Sequence, residues 1–120
     1  MLTLSIDRDS FEQLLSREKT EEYREIKPYY TTRLQKVFPF TRVLRLPIQD
    51  GVARPVSFKI GVSPKAPSFT ADCLLKIGGG LEKWGADPAQ WYYVLTVLRI
   101  TQRHVPEEKE ENRSLNMQEI

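Results

Sequence analysis

A chain of 120 residues, 40% hydrophobic and 28% charged, with a formal net charge of +2, has the make-up of one globular domain able to bury a core without staples. Its single cysteine and single histidine exclude an internal disulfide and a Cys/His-rich transition-metal centre, so neither metal nor cofactor is expected. The apolar run from Trp91 to Leu98 is too short to span a bilayer, and Asp7, Arg8 and Asp9 break up the first apolar stretch where a secretion signal would need its core. A cytoplasmic protein without a membrane partner is therefore expected.

Leu2, Leu4 and Ile6 alternate with Thr3 and Ser5, the period of a strand with one buried face. Asp9 followed by Glu12 has the spacing of a capping box, and Phe11, Leu14 and Leu15 then share one helical face, so a short helix is predicted to end near Arg17. Thr20 to Arg24 reads as a strand with Thr20, Glu22 and Arg24 on one side and Glu21 and Tyr23 on the other, with Lys19 at its entrance. Pro28 opens a second predicted helix running through Lys36, and Pro39 stops it.

Arg42 to Ile48 and Val52 to Ile60 read as strands joined at the turn signal Asp50-Gly51, with Pro55 marking an edge or bulge in the second. After a loop containing Pro64 and Pro67, Phe69, Ala71, Cys73, Leu75 and Ile77 alternate against polar residues, predicting a strand with a core face and a buried, inert Cys73. Gly78-Gly79-Gly80, Gly85 and Asp87-Pro88 mark turns; the triple glycine lacks the Gly-Lys-Ser/Thr ending of a phosphate loop. The almost continuously apolar Trp91 to Ile100 is expected to be a strand covered on both sides.

Charge divides the chain. Residues 1–106 hold 16 basic and 11 acidic side chains, whereas residues 107–120 hold 2 and 5. The expected organisation is a basic domain over 1–106 and an acidic, disordered tail over 107–120, in which Leu115, Met117 and Ile120 are the residues able to dock on a partner. Within the domain, Arg24, Lys27, Arg33, Lys36, Arg42 and Arg45 are interleaved with Tyr29, Tyr30, Phe38 and Phe40. Basic side chains with aromatics suit single-stranded nucleic acid. Helical spacing favours the other account, in which Tyr30, Leu34 and Val37 pack inward and Arg33 and Lys36 remain solvated.

Lys19, Glu22 and Arg24 form the most informative constellation. A residue at a helix exit and two alternate strand residues converge on one cleft, where they serve either as a ligand-binding trio or as a structural ion-pair network. Arg24 offers a planar fork for phosphate or a base edge.

The stretch Leu14-Leu15-Ser16-Arg17-Glu18-Lys19-Thr20-Glu21-Glu22-Tyr23-Arg24 resembles the signature of the ASCH family of PUA-like proteins, in which a short helix ends at Gly-x-Lys and a strand carries Glu-x-Arg. Lys19, Glu22 and Arg24 take the matching positions, while Arg17 stands where the family usually has Gly. Phe58-Lys59-Ile60-Gly61, Trp84-Gly85-Ala86 and Trp91-Tyr92-Tyr93-Val94 resemble a bacterial and phage branch of that family. The resemblance covers most of residues 2 to 100. It implies an α+β fold, a small PUA-like β-barrel of about five to six strands with two short helices in the N-terminal half.

It also implies an RNA or nucleoside/nucleotide ligand, bound by Lys19, Glu22 and Arg24 with Tyr23, Tyr29 and Tyr30 available for stacking. Some relatives of this fold are amidohydrolases that deacylate modified cytidine with a Lys, a Thr and a distant Glu. Here Lys19 matches and Glu22 stands in place of the Thr, so an enzymatic alternative rests on Lys19 and Glu22 as catalytic residues activating water. The distant Glu has no motif-based match, and Glu82 is a weak candidate for it. A protein-interaction module is the third alternative.

Overall fold

A computed structural model describes residues 1–40 and 50–104. The elements in chain order are β1 (Leu2–Ser5), α1 (Arg8–Leu15), β2 (Glu21–Glu25), α2 (Pro28–Leu34), β3 (Arg54–Lys59), β4 (Ser68–Gly78) and β5 (Tyr92–His104), with a 3-10 turn at Glu82–Trp84 between the last two strands. The five strands form one sheet, ordered β1-β3-β4-β5-β2 and curled into a half-barrel. β1 runs parallel to β3; the other neighbours are antiparallel. Register shifts between β4 and β5 at Thr70/Ala71 and Asp72/Cys73 bend and twist the longest pair, as bulges do.

The concave face carries the core. Leu2, Leu4, Val56, Phe58, Phe69, Ala71, Cys73, Leu75, Tyr93, Leu95 and Val97 project from the strands to meet Phe11 and Leu14 of α1 and Leu34 of α2. Phe69 anchors the cluster, with Phe11 at 5.2 Å and Phe58 stacked at 5.1 Å between ring centroids. Thr31 of α2 hydrogen-bonds the buried Tyr93 hydroxyl, which fixes that helix over the inner face of β5.

On the convex face, Tyr92, Val94, Ala86 and the half-buried Tyr23 form a second, smaller cluster. It covers the β2/β5 side of the sheet with the segment leading through the 3-10 turn.

Several expectations need adjustment. Asp7, not Asp9, caps α1, because Asp7 is extended and its carboxylate accepts from the backbone N–H of Ser10 at 2.7 Å. α2 stops at Leu34, short of Lys36. Pro55 lies within β3, paired with Asp72 of β4, but just before the register with β1 begins at Val56, so on the β1 side it stands where the strand is locally an edge.

β5 runs on to His104 and is covered on both faces only at its start. Its pairing with β2 ends at Thr96, and Leu98 beyond it is 47% exposed. The predicted strand Arg42 to Ile48 and the acidic tail, with its docking residues, lie outside the described residues.

Among the described residues no helix is long and apolar enough to cross a membrane. No group of three or more metal-ligating side chains occurs among them either.

Candidate functional site

The end of α1 aims the first charge. Arg17 adopts the left-handed conformation, φ 69°, which in a non-glycine residue costs about 1 kcal/mol. The backbone N–H of Arg17 then donates to Leu14 O and that of Lys19 to Gln13 O, satisfying carbonyls the helix leaves open at its end. The strain has a counterpart: the Arg17 guanidinium donates to Val97 O at 2.7 Å and Leu98 O at 3.3 Å. These bonds tie the helix exit to β5 just where β2 stops.

The turn folds Lys19 back against α1. Its Nζ donates to Ser10 Oγ at 3.3 Å and to Glu22 Oε1 at 2.9 Å, and the residue is 2% exposed. Arg24 Nη2 donates to the other carboxylate oxygen, Oε2, at 2.7 Å. Both oxygens of Glu22 thus accept from cations, and two positive groups surround one negative group. Burial of such a group without its partners is prohibitive, so the three side chains hold one another in place.

Arg24 performs a second task. Among the described strands β1 and β2 are the two edges of the half-barrel, and Arg24 Nη2 reaches across to Ser5 O at 2.9 Å. Arg24 Nη1 donates to Tyr30 Oη at 3.4 Å, with the guanidinium 5.5 Å from that ring. The guanidinium therefore clasps the open seam of the sheet beneath α2. Its Nε is buried and lacks a hydrogen-bond partner among the described residues.

Beside Lys19 lies a hollow of about 400 Å³, bounded by Asp7, Arg8 and Ser10 of the α1 entrance on one side and Lys83 and Trp84 of the 3-10 turn on the other. This is the size range of small-ligand sites. Lys19, whose ammonium uses two of its three donors on Ser10 and Glu22, is among the residues that line the hollow. Glu22 and Arg24 stand behind it and do not line it.

Local chemistry also places Trp84. The backbone N–H of Leu81 donates to Tyr23 Oη at 2.9 Å and that of Asp87 to Tyr92 Oη at 2.8 Å, so two phenols on the convex face pin the segment at both ends. Gly80 lies so close to Tyr23 and Ala86 that a Cβ there would sit 2.7 Å from both. Gly85, at φ 95°, closes the turn in a conformation that suits glycine. Trp84 is left half-buried opposite the α1 entrance, with Lys83 Nζ 5.1 Å from its ring.

The sequence-predicted residues separate accordingly. Lys19, Glu22, Arg24 and Tyr30 come together. Tyr23 lies on the opposite sheet face, its hydroxyl donating to Glu21 Oε1 at 2.7 Å; burial is the main force pushing its pKa up to about 12, the Glu21 carboxylate adding to it. Tyr29 is exposed on α2 and carries Arg33 over its ring at 3.5 Å.

Sequence reasoning used Trp84 as part of the family resemblance and gave Ser10 no role. The available signal was the glycines flanking Trp84, which mark a constrained loop without revealing what it faces. Cys73 is buried, and desolvation raises its thiol pKa to about 12, in keeping with an inert core thiol. No family model, curated protein or solved structure matches this chain.

Proposed function

We propose that this chain is an ASCH-type, PUA-like domain that binds RNA or a nucleotide-sized ligand in the hollow beside Lys19. The observation that carries this reading is that the nearly buried Lys19 and the half-buried Trp84 line one hollow of about 400 Å³. A ring that stacks a base and a cation that meets a base acceptor or phosphate are the two groups such a ligand needs.

Asp7 and Asp9 with Arg8 and Lys83 supply charge of both signs at the rim, which suits the donors and acceptors of a base edge. Glu22 holds the basic pair, and Arg24 supports the site from behind. Calorimetry with nucleoside monophosphates tests this: Lys19→Met and Trp84→Ala should each weaken binding by about tenfold or more, near 1.4 kcal/mol. Affinities equal to wild type in both variants would reject the site.

A second reading, hydrolysis of an acyl-amide on a nucleobase, gains support from Ser10. Its Oγ lies 3.3 Å from Lys19 Nζ and lines the same hollow, supplying the hydroxyl that position 22 lacks. In that reaction water adds across the amide, releasing a carboxylate and the free exocyclic amine. Incubation with N4-acylated cytidines decides it: turnover that disappears in Lys19→Ala and falls in Ser10→Ala supports hydrolysis, and no release above the Lys19→Ala control excludes those substrates.

A further inference from the structure

A second hollow, of about 520 Å³, lies at the other end of β1. Arg33 and Lys36 of the α2 region and Arg54 of β3 rim it, Leu2 and Val37 contribute apolar lining, and no acidic residue among the described ones lines it. From the geometry of this basic hollow we infer that it holds backbone phosphates, so that the ligand of the Lys19 site is a single-stranded polynucleotide rather than a free nucleotide. The inference rests on the nucleotide reading of the first hollow.

Two of its three cations, Arg33 and Arg54, are held by neighbours. Arg33 Nη1 donates to Tyr29 O at 3.0 Å while the guanidinium lies 3.5 Å from the centre of the exposed Tyr29 ring. One edge and one face of the fork are thus committed to α2, and its plane is set before any ligand arrives; such preorganisation lowers the ordering cost of binding. Lys36 is exposed and joins as a mobile point charge. Arg54 is largely neutralised by Asp50, at 2.9 Å, and serves as a donor wall more than as net charge. The attraction therefore comes from Arg33 and Lys36, enough for about two phosphate contacts.

Spacing favours a strand. Thr3 lines the basic hollow and Asp7 the Lys19 hollow, four residues apart along β1 and its exit, about 13 Å at the rise of an extended chain. A mononucleotide seated against Trp84 does not bridge that interval, whereas a chain of a few nucleotides does. The interleaved Arg33, Tyr29 and Lys36 then combine charge with an aromatic face, the pairing used to follow single strands.

The test compares a fluorescent single-stranded RNA of about ten nucleotides, within the range of small binding folds, with nucleoside monophosphates, using wild type, Lys19→Met and the double variant Arg33→Gln/Lys36→Gln. Circular dichroism establishes that each variant is folded. The double variant should bind the oligonucleotide at least tenfold more weakly, flatten the slope of log affinity against log salt by about 1.4, from two lost contacts at ~0.7 each, and bind monophosphates as wild type does. Unchanged oligonucleotide affinity and salt slope, with monophosphate binding intact and sensitive to Lys19→Met, would overturn the inference and leave the nucleotide site standing. If wild type binds neither ligand, both proposals fall; if Lys19→Met leaves oligonucleotide binding untouched while the double variant abolishes it, the strand does not enter the first hollow and the coupled reading is overturned.

Discussion

Arg17 and Glu22 show how single side chains carry opposing energies. Arg17→Ala keeps the left-handed strain and loses both bonds to β5, whereas Arg17→Gly loses the bonds but relieves the strain. Arg17→Gly should therefore be more stable than Arg17→Ala by about 1 kcal/mol in urea unfolding. Equal midpoints would mean that the left-handed turn costs nothing here.

For Glu22, replacement by Gln leaves Lys19 and Arg24 as neighbouring buried cations and should cost about 3–5 kcal/mol. Lys19→Met leaves the Glu22–Arg24 pair at 2.7 Å electrically balanced and should cost less. A Lys19→Met protein less stable than Glu22→Gln would contradict the view of Glu22 as the centre of the network. At alkaline pH, Tyr23 and Cys73 keep their protons longer in the folded protein than in the unfolded chain, whose groups titrate from their ordinary values of 10.0 and 9.0. Folding stability should therefore fall as pH rises from about 9 through 12, and Tyr23→Phe should shallow the fall above pH 10.

At the level of elements, the segment between β4 and β5 depends on close approach. Gly80→Ala places a methyl 2.7 Å from Tyr23 and Ala86, a clash expected to cost about 1–3 kcal/mol and to displace the turn bearing Trp84. Nucleotide affinity should fall together with stability in Gly80→Ala, while Gly79→Ala, with open space around its Cβ, should alter neither. If Gly80→Ala binds as wild type does, the pinned segment does not position Trp84.

Such elements explain what sequence disclosed. Local alternation placed Leu2 to Ile6, the inward Glu22 and Arg24, and Phe69 to Ile77 correctly, because strand period and helical period are local properties. The order β1-β3-β4-β5-β2, the meeting of the two sheet edges at Arg24 and Ser5, and the closeness of Trp84 to Lys19 are long-range pairings that no local period encodes. The cover expected over Trp91 to Ile100 fails at Trp91, which precedes β5 and is exposed, and from Leu98 onward, because it depends on how far β2 reaches, which is again set by register.

Across the whole molecule, the half-barrel uses one ion-pair cluster for two purposes. Arg24 closes the seam between β1 and β2, and the same carboxylate that holds Arg24 holds Lys19 at the base of an open hollow. Fold closure and the proposed ligand site thus share Glu22, and a ligand that binds the folded protein at Lys19 should raise the unfolding temperature by an amount that grows with the logarithm of its concentration.

The most direct test is optical, since the chain has two tryptophans and Trp91 is exposed. In Trp91→Phe protein, titration with nucleoside monophosphates should quench Trp84 fluorescence saturably, with the midpoint shifted at least tenfold when Lys19→Met is added. No saturable change with any of the common monophosphates, or identical titrations with and without Lys19, would contradict the assignment of this hollow as a nucleotide site.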